Sequence, residues 1–217
     1  MENSSVQLNG AILYGINCRG RTECLRLMFV LSGRKFVDRR ITLVEWKEIK
    51  IKENFPSNAM LPVLKLAMES QPIIGAIEIG RYLATNLGFY GSSQDEKLEI
   101  DQIIDDLEKL HVAVAPVIRT TLTKNFDKRR EYWQIFKENY LTDYLKKFEA
   151  KLGQRIFFVG NKISWADMAV ADVLSAFTTC FDTFLLNSYP TLKAHALRIE
   201  GLPNIRTYVA QRPHTSF

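Results

Sequence analysis

Gly160-Asn161-Lys162-Ile163-Ser164-Trp165-Ala166-Asp167 decides how the second half of this chain is built. Ser164 stands three residues before Asp167, just ahead of the apolar run Met168–Leu174. In that order the serine hydroxyl can accept from the Asp167 amide while the Asp167 carboxylate reaches back to the Ser164 amide. Two donors that a helix start leaves unpaired are then satisfied, with Asp where Glu or Gln is usual. The spacing predicts a helix opening at Ser164. It is a folding device and carries no chemistry of its own.

Working outward, the residues around this point are helical in pattern. The most apolar helix-length stretch, Ala169–Leu186, contains Asp172 and Asp182 and is too short and too charged to span a membrane, so it reads as a buried helix. Upstream, Ile100, Ile103, Ile104, Leu107, Leu110 and Val114 fall on one face of a long helix. Tyr132, Phe136, Tyr140, Tyr144 and Phe148 recur every four residues, so a second long helix is expected from near Asp127. An aromatic stripe at that spacing is core rather than a cofactor box.

The first half has a different texture. Strand candidates Ala11–Tyr14, Phe36–Ile41 and Pro62–Leu66 alternate with helical stretches Arg21–Leu31, Trp46–Glu53 and Ile77–Leu87. That order suggests a small mixed sheet covered by helices. The Gly- and Ser-rich stretch Gly88–Asp95 separates the halves. The expected division is an α/β domain over residues 1–87, a linker over 88–93 and an all-helical domain over 94–217.

Composition narrows the function classes. With 217 residues, 47% apolar and 24% charged, the chain can bury a sizeable core. The net charge of +5 comes from scattered basic residues. Their densest cluster, Lys124, Lys128, Arg129 and Arg130, sits at a helix start and reads as a solvated face, not a nucleic-acid stripe. Met1–Gly10 is polar and has no signal-peptide pattern. Cys18, Cys24 and Cys180 lack metal-ligand or C-x-x-C spacing, which favours a reducing compartment such as the cytoplasm. His111, His195 and His214 form no arrangement suited to nucleophilic catalysis. No metal, nucleic-acid or membrane partner is expected.

The element Gly160–Asp167 is similar to the one that opens the central C-terminal helix of cytosolic glutathione transferases. Several further stretches fall in that family's order, among them Arg19-Gly20-Arg21-Thr22-Glu23, Trp46-Lys47-Glu48-Ile49-Lys50, Leu61-Pro62-Val63-Leu64 and Arg81-Tyr82-Leu83-Ala84. The tail from Leu192 to Phe217 resembles sigma-like, nematode-type members. The resemblance implies a thioredoxin-like N-terminal domain, an all-helical C-terminal domain, a homodimer, and glutathione as co-substrate. It also implies a cis bond before Pro62, whose turn exposes the backbone of Leu61 to the cysteinyl part of glutathione.

Conjugation needs glutathione's thiol as thiolate, because the thiolate is the nucleophile. Lowering a thiol near 8.5 by two units asks about 2–3 kcal/mol of the site. Sigma-type members supply it with a tyrosine hydroxyl at the end of the first strand. Counted back from Arg19-Gly20-Arg21, that place falls on Gly15, with Tyr14 one residue earlier and therefore on the opposite face. Tyr14 serves as thiol activator if the loop Gly15–Cys18 bulges to absorb a residue; otherwise it is a strand residue packed under a helix.

Two more departures follow from the resemblance. The Gln-Ser pair that holds the γ-glutamyl carboxylate is matched by Gly75 and Ala76, leaving the amides and positive end of a helix for the anion. Each lost donor to a charged group costs about 1.5–3 kcal/mol. Lys109 stands where an aspartate often reaches the partner subunit's glutathione amine. Other matching positions are intact. Trp46 and Lys50 resemble the contacts to the glycyl end. Arg21 resembles the arginine beneath the catalytic tyrosine, or forms a helix-start ion pair with Glu23.

The expected function is conjugation of glutathione to small apolar electrophiles, with Val112, Val114 and Pro116 marking an apolar acceptor site. The alternative is a non-catalytic carrier of hydrophobic ligands, or a structural protein, on the same fold. A thiol oxidoreductase using Cys18 lacks a second cysteine at the right spacing.

Overall fold

The structure is a computed structural model and describes residues 8–67, 69, 71–215 and 217. It has two compact units. One gathers the chain through Phe89 together with Pro203–Thr215, and the other comprises Tyr90–Leu202 and Phe217.

The first unit is built on a four-stranded sheet in the order β2-β1-β3-β4. Strand β1 spans Ile12–Ile16, β2 Val37–Ile41, β3 Val63–Lys65 and β4 Ile73–Ile74. β1 pairs with β2 in parallel, with Tyr14 opposite Arg39 and Gly15 opposite Arg40; β3 is antiparallel to β1 and to β4. The parallel pair requires a crossover, which helix α1, Glu23–Ser32, supplies. Helix α2, Leu43–Lys52, opens with Thr42 and Glu45 in a reciprocal capping box. Helix α3, Ala76–Leu87, follows β4 and ends at Gly88, whose φ of 80° is the left-handed cap that glycine adopts without penalty.

The second unit is helical, as the periodicity predicts. Helix α4 spans Gln94–Ala113 and buries Ile100, Ile103, Ile104, Leu107 and Leu110 on one face. Helices α5, Ala115–Leu122, and α6, Phe126–Phe136, follow. A π-helical turn at Lys137–Leu141 joins α6 to α7, Thr142–Leu152. Of the four-residue aromatic stripe, Phe136 and Phe148 lie on the buried face and the tyrosines do not. Trp133, Phe136, Leu141, Leu145, Phe148 and Leu152 form that face, while Tyr140 is 48% exposed. The five-residue step from Phe136 to Leu141 falls in the π turn, which re-phases the apolar face.

Helix α8, Trp165–Cys180, has the anticipated cap: Ser164 Oγ accepts from the Asp167 amide and Asp167 Oδ2 accepts from the Ser164 amide at 2.8 Å. Asp167 also accepts from the Phe158 amide at 2.8 Å and lies 3.0 Å from His195 Nε2, all of it buried. His195 belongs to α9, Pro190–Glu200. With the Ser164 hydroxyl, which donates to Oδ2 at 2.6 Å, four groups converge on one carboxylate and tie three segments together. The helix stops at Cys180 instead of continuing through the apolar run to Leu186, because the amides of Phe181 and Asp182 both turn back to the Phe177 carbonyl.

The last helix, α10, Pro203–Gln211, groups with the first unit and not with residues 94–202. The cause is ionic. Glu23, fully buried in α1, accepts from Arg212 Nη1 at 2.9 Å, from Arg26 Nη1 at 2.9 Å and from the Tyr208 hydroxyl at 3.2 Å. Burial alone would raise the Glu23 carboxyl; Arg26 and Arg212 outweigh it and hold it below the ordinary carboxylate range. Among the described residues no helix is long and apolar enough to cross a membrane.

Candidate functional site

The cis peptide bond lies between Leu61 and Pro62, at the entry to β3. The Pro62 carbonyl accepts from the Gly75 amide at 2.9 Å, which links the start of β3 to the start of α3. Leu61 is passed over by this ladder. Neither its N–H nor its C=O has a hydrogen-bond partner among the described residues. A free donor and acceptor on one residue at a strand entry is what an extended peptide needs for pairing.

Gly75 has φ 96°, and a Cβ placed on it would meet nothing within 4 Å. Ala76 is the first residue of α3, a helix start whose leading amides have no intrahelical partner and no side-chain cap. Glu78, in the same turn, is paired with Arg81 at 3.5 Å.

Trp46 and Lys50 are both on α2 but differ in freedom. Trp46 packs with Tyr14, Ile41, Phe55, Ala59 and Val63, with Leu61 at the margin. Its indole N–H carries no hydrogen bond among the described residues. Lys50 Nζ donates to the Ser57 carbonyl at 2.7 Å. Arg21 lies in the single 3-10 turn Gly20–Thr22, exposed.

Tyr14 is inside that apolar cluster, 2% exposed, edge-on to Phe55 at 5.5 Å and tilted against Trp46 at 6.4 Å. The bulge that would turn it toward the far face is not formed, since β1 keeps register with β2 without a break through Ile16. Burial, helped by Glu53, pushes the phenol's pKa up, with Lys65 and Arg39 pulling it down. Gly15 faces the other way and has no room. A Cβ there would sit 2.7 Å from Thr22 Cγ2, 2.8 Å from Thr22 Oγ1 and 3.0 Å from Arg26 Nη2. Thr22 therefore occupies the space into which a side chain at position 15 would grow. It stands at the N-cap of α1 with no capping hydrogen bond from its side chain.

A family model described as "Glutathione S-transferase, C-terminal domain" matches residues 112–212. Along most of its length the chain is similar to S-crystallin SL11 of Nototodarus sloanii, 32% identical over 208 residues, covering 94% of this chain and 98% of that protein. The chain belongs to the glutathione transferase family. A further relative is glutathione S-transferase 3 of Caenorhabditis elegans, 31% identical over 210 residues, with 93% of this chain and 96% of that protein covered. Among solved structures, the glutathione S-transferase from Ascaris lumbricoides is similar with a TM-score of 0.81 and 27% identity, over 96% of this chain and 100% of that one.

At the end of β1, Gly15 and Thr22 pack against each other with no room for a side chain at position 15. The pairing was hidden in sequence because Thr22 reads as an ordinary helix-start residue. Only the Cβ clearance shows that it fills the place next to a glycine. In the second unit, Lys109 bonds Asp106 at 3.3 Å, so part of its charge is answered one turn away. Val112 is 72% exposed while Val114 is fully buried, which removes Val114 from an open acceptor surface. At Cys18 burial pushes the thiol pKa up, and Arg26 opposes this.

Proposed function

We propose that the protein binds glutathione at the entry to β3 and conjugates its thiol to small apolar electrophiles, without using Tyr14. The observation that carries the reading is the unpaired N–H and C=O of Leu61 beside the cis Pro62. The cysteinyl backbone would pair there, the γ-glutamyl carboxylate would meet the amides from Ala76 onward, and the Trp46 indole N–H would take the glycyl end. Lys50 would have to leave Ser57 to take part, and Arg21 would lie to the side of the thiol. Thr22, a hydroxyl at the positive end of α1, is the group we assign to the sulfur. A single neutral donor predicts slow conjugation.

The burial of Tyr14 supports a second reading, in which the protein carries hydrophobic ligands or serves a structural role and has lost turnover. Both readings take the cytoplasm as the compartment, a sigma-like homodimer as the assembly, and detoxification as a role open to the first.

The test is a glutathione titration by calorimetry together with conjugation of a generic electrophile, on wild type, Thr22→Val and Tyr14→Phe. Saturable binding, with turnover that falls about tenfold or more in Thr22→Val and by less than twofold in Tyr14→Phe, supports the transferase. Binding without turnover supports the carrier. No binding at about 10 mM glutathione sinks the transferase reading.

A further inference from the structure

A cavity of about 450 Å³ lies wholly within the second unit and is lined by none of the residues assigned to glutathione. One wall is the C-terminal part of α8, where Ser175, Thr178 and Thr179 sit at i, i+3 and i+4 and so share a face. The opposite wall is α9, where Lys193, Ala196, Leu197 and Glu200 repeat the same spacing over two turns. Leu186 and Asn187, from the 3-10 turn Leu185–Ser188, close the space between them. The size is that of a small-molecule site.

The polar groups of this cavity are incompletely used. Lys193 Nζ bonds Asn187 Oδ1 at 3.1 Å and keeps two further donors. The Glu200 carboxylate is half-buried and has no partner among the described residues. Thr178 returns its hydroxyl to the Leu174 carbonyl at 3.0 Å, as helical threonines often do. Ser175, also buried, makes no such bond among the described residues. Leu186, Ala196 and Leu197 give the cavity an apolar strip opposite the Ser/Thr wall; Leu186 and Ala196 are buried, and Leu197 is 61% exposed.

This charge layout selects a ligand class. A simple carboxylate would satisfy Lys193 and leave Glu200 unanswered; an amine would do the reverse. A neutral apolar molecule would bury both without partners, which is costly. Seven residues of helix separate the Cα atoms of Lys193 and Glu200 by about 10 Å along the axis. Each long side chain can lean outward from that spacing, so the pair suits ligand charges separated by an alkyl chain and not charges held on one carbon, as in an α-amino acid. We infer that this cavity binds a small zwitterion of the ω-amino acid type, its carboxylate on Lys193, its ammonium on Glu200 and its methylenes against Leu186, Ala196 and Leu197.

The full chain is titrated by calorimetry with 6-aminohexanoate, with its isomer norleucine, whose charges sit on one carbon, and with hexanoate. The expected result is saturable binding of 6-aminohexanoate, with the other two weaker by at least about tenfold. Glu200→Gln and Lys193→Met each weaken 6-aminohexanoate about tenfold or more, and Glu200→Gln leaves hexanoate unchanged. Thr179→Trp, an exposed change that fills the cavity, abolishes binding while melting like wild type. Norleucine binding as well as 6-aminohexanoate overturns the inference. So does no binding at about 10 mM, or unchanged affinity in Thr179→Trp.

Discussion

Arg212 Nη1 donates to Glu23 Oε1 at 2.9 Å, joining the end of the chain to the first helix across 189 positions. Glu23 is fully buried, and Arg26, equally buried, depends on it for part of its charge balance. Glu23→Ala strands the Arg26 and Arg212 guanidiniums and is expected to cost about 3–5 kcal/mol. Urea unfolding measures it. A cost below about 1 kcal/mol would mean that the network does not anchor α10.

The same carboxyl sets an acid limit. Its folded pKa lies below its unfolded one, so its contribution is complete above the unfolded value of about 4.3 and fades as pH falls through the folded value. Melting temperature should therefore drop steeply below about pH 4 in wild type, and the drop should be shallower in Glu23→Gln, measured on the same buffers. Parallel curves would assign the acid limit to other groups.

At the start of α8 the cap and the buried carboxylate are separable. Ser164→Ala removes one acceptor and should cost about 0.5–2 kcal/mol. Asp167→Ala also strands the Phe158 and Ser164 amides in the core and should cost about 3 kcal/mol or more. Equal costs would show that the convergence on Asp167 adds nothing to the cap.

The contact between positions 15 and 22 gives a coupling test. Gly15→Ala drives a methyl to within 3 Å of Thr22 and should destabilise by about 1–3 kcal/mol. Thr22→Ala in the same chain should recover much of that loss, a non-additivity that a double-mutant cycle reads directly. Additive effects would indicate that the backbone, not Thr22, resists the methyl.

Tyr14 separates ring from hydroxyl. Tyr14→Ala opens the cluster around Trp46 and Phe55 and should cost about 3–5 kcal/mol by denaturant unfolding. Tyr14→Phe keeps the ring and should change stability by less than about 1 kcal/mol. A larger loss would reveal a bond to the phenol.

Local devices were legible in the sequence, and long-range ones were not. Ser164 and Asp167 are three residues apart, so their reciprocal bonds could be read from spacing, and the face of α4 could be read from its period. The place of α10 could not, because it rests on Glu23 meeting Arg212 and Tyr208 from the other end of the chain. The π turn was invisible for a related reason: the aromatic stripe at every fourth residue mimics a continuous helix, and only the packing of Leu141 and Leu145 shows the changed phase. At the site, the one-residue offset of Tyr14 was legible. That β1 keeps register and that Thr22 fills the space over Gly15 depends on clearances of tenths of an ångström.

The proposed pairing of glutathione with the backbone of Leu61 can be followed at the Leu61 amide resonance of isotope-labelled protein during a glutathione titration. A saturable shift is expected, accompanied by slower hydrogen exchange of that amide at saturation. An amide that does not move while calorimetry records binding would place glutathione elsewhere and contradict that pairing.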